Sequence, residues 1–471
     1  MIGMLGVSPR RAKPEGSDPL QGRSPLSSRA RAASRGICTS TTVLVLAAAF
    51  TACRSSVPAG AASTAPSATN AASQPSYELR DARWLGANGF QPGTRYVVGG
   101  RLTHRRPARV DSVIDLAGRW ITPPFGEAHN HNVEYTTRHR TDSLLARYLH
   151  DGVFYVQNPG SLPRSRDSLA GRVDVPGAID VTFANGLLTA TGGHPMGLYR
   201  RNLARGGMTP ADGDGAFFWL IDSLPDLERK WPRILAGHPD FIKIVLVHSE
   251  EYARRRNDSA FFNWRGIDPA LVPAVVQRAH AAGLRVGAHV DTRGDFHNAL
   301  VGGVDEILHI PGFRGDERTE LTDTRPYEIT DEDAKLAAAR GVVVVTTVGG
   351  ALGFDPHGAD STRRRQFDAL ATRNLRVLRA AGVRLAIGSD SYRDDSVLEA
   401  GYLATLGVFT PFELVRLWSE ATPRAVFPKR RVGCLDDGCE ASFLALAGDP
   451  ATDFANTRRI ALRMKDGRLL P

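Results

Sequence analysis

The sequence predicts an α/β fold in which parallel strands and helices form a barrel, with a smaller β domain contributed by both ends of the chain. Three observations predict it. Short apolar runs, typical of strands buried on both faces, recur between residues 120 and 390 and are separated by amphipathic helical segments. Most of these runs contain or end in His, Lys or Asp, as barrel strands that carry functional groups do. Strand-like segments with Gly and Pro turns lie near both chain ends.

The first element is a predicted signal peptide, residues 1–53. Three arginines between residues 29 and 35 precede the apolar stretch 42–50, which is too short to span a membrane as a helix. The small residues Thr51 and Ala52 before Cys53 resemble a bacterial lipoprotein cleavage box. We therefore expect an exported protein of the bacterial cell envelope, held at the membrane by a lipid anchor at Cys53. Ordinary secretion into the periplasm is the alternative.

Residues 54–76 are rich in Ala, Ser, Thr and Pro and carry almost no charge, which predicts a flexible tether. Strand-like segments follow at 77–84, 94–102 and 109–115, and two more occur at 441–447 and 459–465. They predict a small β domain made of residues 77–120 and 425–471. Residues 121–424 then form the barrel, for which about 250 residues suffice.

The strands of the barrel carry an ordered set of metal-ligand residue types. The runs and their chemical residues are 120–131 with His129 and His131, 240–246 with Lys243, 285–290 with His289, 306–310 with His309, and 384–390 with Asp390. Side chains two residues apart on a strand share a face, so His129 and His131 can bind one ion. Lys243 lies among apolar residues, where an uncompensated ammonium is costly to bury. A single histidine on such a run is more often a hydrogen-bonded core residue, but the complete ordered set favours a metal site.

This motif set resembles the amidohydrolase superfamily, in particular its imidazolonepropionase-like and prolidase-like members. The resemblance covers residues 77–471 and implies a (β/α)8 TIM barrel beside a β-sandwich built from both chain ends. It also assigns the second, third and seventh strands of the barrel to the apolar runs 152–158, 186–192 and 341–347. The sequence departs from the family pattern at Pro123-Pro-Phe-Gly-Glu-Ala-His129, where Pro-Gly-Leu/Phe-Ile-Asp-x-His is usual.

The resemblance also implies the cofactors. Two divalent ions, with zinc the expected metal, would be bound by His129, His131 and Asp390 on one side and by His289 and His309 on the other. Lys243 would bridge them as a carbamate formed with carbon dioxide. Such ions supply a hydroxide at neutral pH, and Asp390 would accept the proton of the attacking water and pass it to the leaving nitrogen.

The expected function is therefore hydrolysis of a C–N bond, an amide, cyclic amide or dipeptide, in a small-molecule substrate. Three alternatives remain at this stage: a mononuclear metal deaminase, a lactonase or esterase on the same fold, and a catalytically inactive, lipid-anchored binding protein. The net charge of +9 includes +5 from residues 1–52, so the remainder carries only +4. This balance predicts no nucleic-acid partner. The oligomeric state is left open.

Three further features were assigned from their positions. His194, in Thr191-Gly-Gly-His-Pro195, follows the third strand at the barrel rim and is a candidate substrate-binding residue. The arginines 363–365 form either a solvated charge run or a carboxylate-binding group. Cys434 and Cys439 form a disulfide, remain two free thiols, or make a metal clip, for which two cysteines alone are a poor ligand set.

Overall fold

A computed structural model describes residues 75–134, 137–160, 165–205, 209, 211–312, 323–349 and 361–471. The predicted signal peptide, the anchor site at Cys53 and all but the last two residues of the tether lie outside these ranges. None of the described helices is long and apolar enough to cross a membrane.

The strands, in chain order, are β1 (Tyr77–Gly86), β2 (Gly89–Val98), β3 (Arg101–Thr103), β4 (Ser112–Thr122), β5 (Phe125–Glu127), β6 (Val153–Asn158), β7 (Asp180–Phe183), β8 (Leu187–Thr189), β9 (Trp219–Leu220), β10 (Phe241–Val245), β11 (Arg285–His289), β12 (Glu306–Ile307), β13 (Val343–Val345), β14 (Arg384–Ala386), β15 (Phe443–Leu446), β16 (Ile460–Lys465) and β17 (Arg468–Leu470).

The helices are α1 (Arg138–His150), α2 (Ser165–Ser168), α3 (Met196–Arg205), α4 (Leu224–Ala236), α5 (Tyr252–Arg255), α6 (Val272–Ala281), α7 (Arg293–Gly302), α8 (Asp331–Ala339), α9 (Ser361–Ala380), α10 (Ser396–Thr405), α11 (Pro411–Arg416) and α12 (Thr422–Val426). A π-helical turn, Leu417–Ala421, joins α11 to α12.

The central part of the chain forms parallel sheets with intervening helices. The described strands pair in the orders β5-β6-β7 and β14-β13-β12-β11-β10-β8-β9, and every pairing within these two sheets is parallel. Val, Ile and Leu side chains of the strands are buried with apolar faces of the helices in one large core. This confirms the α/β class and is consistent with a TIM barrel.

The predicted first barrel strand, 120–131, was wrong as a single strand. Its beginning belongs to β4 of the chain-end sheet, and its continuation is β5 of a parallel sheet. Pro123 and Pro124 separate the two segments because neither residue has an N–H to donate to a neighbouring strand. His129 and His131 lie just beyond β5, in a turn.

The predicted third strand, 186–192, is also divided. β8 covers only its first part, and an unpredicted strand, β7, precedes it. Asn185 and Gly186, with φ of 53° and 100°, bend the chain between the two segments. β7 pairs with β6, whereas β8 pairs with β10, so this single stretch of chain contributes to both parallel sheets.

Both chain ends build one mixed sheet in the order β17-β16-β15-β4-β1-β2-β3, in which β1 and β4 are parallel and the other pairs antiparallel. The predicted strand 94–102 is instead the hairpin β2–β3, because Gly99 and Gly100 form a turn with positive φ. Cys434 and Cys439 form a disulfide, with Cα atoms 5.9 Å apart. Leu102 of β3 donates its N–H to the carbonyl of Cys439 at 2.9 Å, so the disulfide loop covers the edge of this sheet.

Candidate metal centre

Two histidines and an aspartate converge where the ends of β5 and β14 meet. The Nε2 atoms of His129 and His131 are 3.1 Å apart, and Oδ1 of Asp390 lies 3.4 Å from the first and 3.2 Å from the second. Asp390 donates its N–H to the carbonyl of His129 at 2.7 Å, which holds the two turns together. With φ of 45°, Asp390 occupies the left-handed region, a strained conformation of the kind that functional sites retain.

The hydrogen bonds of the other ring nitrogens determine what this cluster can bind. His129 Nδ1 lies 2.9 Å from the carbonyl oxygen of Leu308, and His131 Nδ1 lies 3.3 Å from that of Gly160. A carbonyl only accepts, so both Nδ1 atoms carry a proton, and each ring in its neutral form presents the lone pair of Nε2. Two lone pairs and a carboxylate oxygen facing one another repel unless a cation lies among them. The donor set of nitrogen and oxygen fits a divalent metal such as zinc.

Burial and neighbouring charges shift the pKa values of His129 and Asp390. Burial, and next the neighbouring Lys243, lower the pKa of His129 well below its usual range, so its ring is neutral at neutral pH. Burial alone would raise the pKa of Asp390, but His129, His131 and Lys243 lower it below the usual range of a carboxyl. Asp390 is therefore an anion that accepts hydrogen bonds or binds a cation.

Lys243, on β10, is buried and reaches the same place. Its Nζ lies 3.4 Å from His129 Nε2. As an ammonium this group faces the carboxylate of Asp390, whose pKa it lowers, whereas a carbamate on the same nitrogen would be an anionic metal ligand.

His309 lies beside Asp390 and His129, and His289 lies beside His309. His309 Nε2 is 4.0 Å from Asp390 Oδ2, and its ring centroid is 4.5 Å from that of His129. The His289 ring packs edge-on against His309 at 4.4 Å, but its Nε2 faces Asp291 Oδ1 at 3.1 Å. All six predicted metal ligands thus lie in one region, with His289 at its margin.

His194, the candidate substrate-binding residue, is buried next to the centre. Its ring stacks on His289, with centroids 4.8 Å apart and planes inclined by 19°. A small cavity is lined by polar residues of the centre and by an apolar wall of aliphatic and aromatic side chains: Leu187, Pro195, Leu198, Tyr199 and Tyr392. Tyr392, half exposed, stacks over His131 at 5.5 Å. A bound substrate would contact this apolar wall.

Glu127 stabilises the backbone next to the centre. The sequence did not predict this role. Glu127 takes the place of the aspartate in the family pattern, and it accepts hydrogen bonds from the N–H of His129 at 3.0 Å and from the N–H and hydroxyl of Ser389 at 2.9 and 2.7 Å. Burial raises the pKa of Glu127 to about 8. The side chain thereby joins the turn carrying His129 to the turn carrying Asp390.

The remaining candidates lie elsewhere. Arg364 pairs with Asp368 one turn along α9 at 2.8 Å and stacks over Tyr402, an arrangement typical of a helix surface.

A larger cavity of about 550 Å³ lies at the opposite, amino ends of β13 and β14, where Arg379, Arg384 and Arg424 line it. None of the predicted site residues lines this second cavity.

Comparison with solved structures identifies the fold. No sequence-family profile and no curated protein sequence matches the chain. The structure is similar to an amidohydrolase (TM-score 0.64, 20% identity, covering 84% of this chain and 98% of the other). It is also similar to the ochratoxinase of A. niger (0.64, 18%, 84% and 95%) and to a putative prolidase from Bifidobacterium longum (0.62, 19%, 84% and 94%). The chain therefore shares the fold of these hydrolases, in agreement with the fold that the resemblance of its motifs predicts.

Proposed function

We propose that this protein is a metal-dependent hydrolase of C–N bonds in small molecules. The observation that carries the proposal is the convergence of His129 Nε2, His131 Nε2 and Asp390 Oδ1 within 3.4 Å of one another, in a fold shared with amidohydrolases and prolidases. Two imidazole nitrogens and a carboxylate oxygen that converge in this way suit a divalent cation, and such a cation would activate water for hydrolysis.

The two parallel sheets are proposed to be parts of one closed (β/α)8 barrel. Hydrogen bonds at both seams support this. The N–H of Ala128 donates to the carbonyl of Ile387 at 2.8 Å, between the first and last strands, and the N–H of Asp240 donates to the carbonyl of Phe183 at 2.8 Å, beside β10. Residues 77–120 and 425–471 would form the β-sandwich domain at its side.

Each residue of the centre has a proposed task. His129, His131 and Asp390 would hold one divalent ion, and His289 and His309 a second, with Lys243 as a carbamate between them. When bound, the ions lower the pKa of water and polarise the substrate carbonyl. Asp390 accepts the proton of the attacking water and returns it to the leaving nitrogen. His194 binds and orients the substrate at the rim.

The proposed substrates are dipeptides and other amides, including cyclic ones. Two considerations support this choice: solved relatives include a Xaa-Pro dipeptidase and a prolidase, and the apolar wall around Leu198 and Tyr392 would accept an apolar side chain. Esters and lactones can be hydrolysed on the same fold, so they belong in the substrate panel.

The test is the metal content of the purified protein, measured by elemental mass spectrometry without chelators. We expect close to two equivalents, reduced in Lys243→Ala together with hydrolytic activity. Lys335→Ala removes an exposed lysine from α8 and serves as the control. Absence of metal even after reconstitution would contradict the proposed function and favour a binding protein on this fold.

A mononuclear centre, as in a metal deaminase, is the second candidate. It is favoured by one observation: in the described residues, the set of ligand atoms within 4.8 Å of one another comprises only His129, His131 and Asp390. One metal equivalent that is unaffected by Lys243→Ala would decide for it.

The cellular setting is proposed from the sequence. We infer export and a lipid anchor at Cys53, with zinc acquired in the cell envelope. In cells producing the full chain, the protein should fractionate with membranes, and Cys53→Ser should release it. Equal fractionation of both forms would contradict the anchor.

A further inference from the structure

His289 differs from the other histidines of the centre in the nitrogen that is hydrogen-bonded. Its Nε2 lies 3.1 Å from Oδ1 of Asp291, and both side chains are buried. The orientation of the His289 ring is fixed as well. The His194 ring stacks on it, and the His309 ring packs against it edge-on. In His129 and His131 it is instead Nδ1 that meets a hydrogen-bond acceptor.

We propose that Asp291 is a positioning residue that selects the metal-binding nitrogen of His289. By accepting a hydrogen bond from Nε2–H, its carboxylate holds the ring proton there and leaves the lone pair on Nδ1. A carboxylate behind a ligating histidine fixes the tautomer and ring orientation and makes the ligand more basic. His129 and His131 would then bind through Nε2 and His289 through Nδ1. This inference rests on the proposed metal-dependent function.

The turn that carries Asp291 is rigid, as a positioning role requires. The N–H of Asp291 and that of Thr292 both donate to Oδ2 of Asp295 at 3.0 Å. Asp295 and Thr292 also form the capping box of α7, and Gly312 donates its N–H to the carbonyl of Asp291 at 3.0 Å. The backbone of Asp291 is therefore held by a helix cap through its N–H and by the loop after β12 through its carbonyl.

The Asp291 carboxylate is also close to His289 in the sequence. It lies two residues beyond His289 on the chain, so the same turn that ends β11 supplies both the ligand and the group that orients it. Substitution of Asp291 should therefore weaken the binding of the metal ion held by His289. The affinity for the ion held by His129, His131 and Asp390 should not change.

The test combines a proton-location measurement with metal affinity. In metal-free protein labelled with ¹⁵N-histidine at pH 8, long-range NMR correlations report which nitrogen of each ring carries hydrogen, and His289→Asn identifies the His289 signals. We expect the proton on Nε2 in the wild type and in Asp291→Asn, whose Oδ1 still accepts, and a shift toward Nδ1 in Asp291→Ala. Chelator competition should show affinity for the second zinc ion reduced about 10- to 100-fold in Asp291→Ala, with a smaller loss in Asp291→Asn.

Asp437→Ala is the matched control, because Asp437 contacts Nδ1 of His104 at 2.8 Å in an exposed pair. It should change neither the His289 tautomer nor zinc affinity. A wild-type His289 protonated on Nδ1 or on both nitrogens would overturn the inference. So would an unchanged zinc affinity in Asp291→Ala. Loss of one zinc equivalent with an unchanged tautomer would make Asp291 itself a ligand, again overturning it. If the wild type binds no zinc, the proposed function is refuted. The NMR measurement on metal-free protein would still show whether Asp291 determines the tautomer of His289.

Discussion

At the scale of single residues, the centre depends on acceptors that face one another. The Asp390 carboxylate lies within 3.4 Å of two histidine nitrogens, while Glu127 fixes the backbone on either side through Ser389 and His129. These are opposite roles for two buried acids. Asp390 is ionised beside the proposed ion, whereas burial raises the pKa of Glu127 to about 8 and favours its neutral form at pH 7.

The first prediction concerns Asp390. Asp390→Asn keeps the shape of the side chain but removes its charge and its ability to take a proton, so hydrolysis should fall by about 10²- to 10⁴-fold. Zinc at the site of His129 and His131 should also bind more weakly. Activity on a hydrolysed dipeptide or amide and zinc affinity by chelator competition measure the two effects. Retention of wild-type turnover would remove Asp390 from the mechanism.

At the scale of elements, a glycine allows the first and last strands to approach each other. A Cβ built on Gly388 would lie 2.8 Å from both the backbone N and the Cβ of His129, and 2.6 Å from Cγ1 of Val345. No rotamer change relieves contact with a backbone atom. Gly126 in the altered first motif has a similar role, since its Cβ would lie 2.9 Å from the backbone N of Pro423 in α12.

The second prediction follows from this contact. Gly388→Ala should lower the free energy of unfolding by about 1–3 kcal/mol and weaken zinc binding, because His129 must shift. Gly401→Ala is the control: this exposed helical glycine has open space around its Cβ, and the change should stabilise α10 by about 0.5–1 kcal/mol. Urea unfolding and chelator competition measure both variants. Equal stability of the two would contradict the argument from close approach.

The third prediction concerns Glu399 on α10, which accepts the N–H of Val348 at 3.0 Å and that of Gly349, both after β13. Burial raises the pKa of Glu399 from 4.5 to about 7. The folded protein therefore holds this proton more tightly than the unfolded chain. The resulting stability is present below pH 4.5 and is lost as pH rises through about 7, up to about 3 kcal/mol in all.

Replacing this carboxyl should remove that pH dependence. In urea unfolding between pH 4.5 and 8, Glu399→Gln should lose less stability than the wild type, and the two curves should converge or cross as pH rises. Glu332→Gln, an exposed glutamate of α8, should follow the wild-type curve. Parallel curves for Glu399→Gln and the wild type would show that Glu399 does not titrate in this range.

At the scale of the whole molecule, local patterns predicted the parallel architecture and the residues at the strand ends, because apolar runs and the residue types beside them are local features. The positions at which the predicted strands are interrupted were harder to predict from the sequence. Pro123 and Pro124 were visible in the sequence, but only pairing partners show that β4 and β5 belong to different sheets. Glu127 and Asp291 were missed because their roles depend on Ser389 and His289 in the folded chain.

A buried charge network links the chain-end sheet to the parallel sheets. Asp180 on β7 pairs with Lys465 of β16 at 3.0 Å and with Arg430 at 2.9 Å. Lys465 also pairs with Asp466 at 2.7 Å, and Arg430 also pairs with Glu440 at 2.7 Å. Lys465 is 1% exposed and Asp180 is 5% exposed, so solvent screens these pairs little. Removing one partner of such a network leaves uncompensated charge in the interior.

The last prediction is a double-mutant cycle across this network. Asp180→Ala leaves Lys465 with Asp466 and Arg430 with Glu440 as remaining partners, so it should cost about 1.5–3 kcal/mol, the range for one hydrogen bond to a charged group. Lys465→Met keeps the apolar stem and leaves Asp180 paired with Arg430, so it should cost less. The double variant should be more stable than the sum of the single losses implies, because each single change removes the same Lys465–Asp180 ion pair. Urea unfolding followed by tryptophan fluorescence and by circular dichroism should give one coincident transition for the wild type. Additive losses, or two separate transitions, would mean that the chain-end sheet and the parallel sheets are energetically independent.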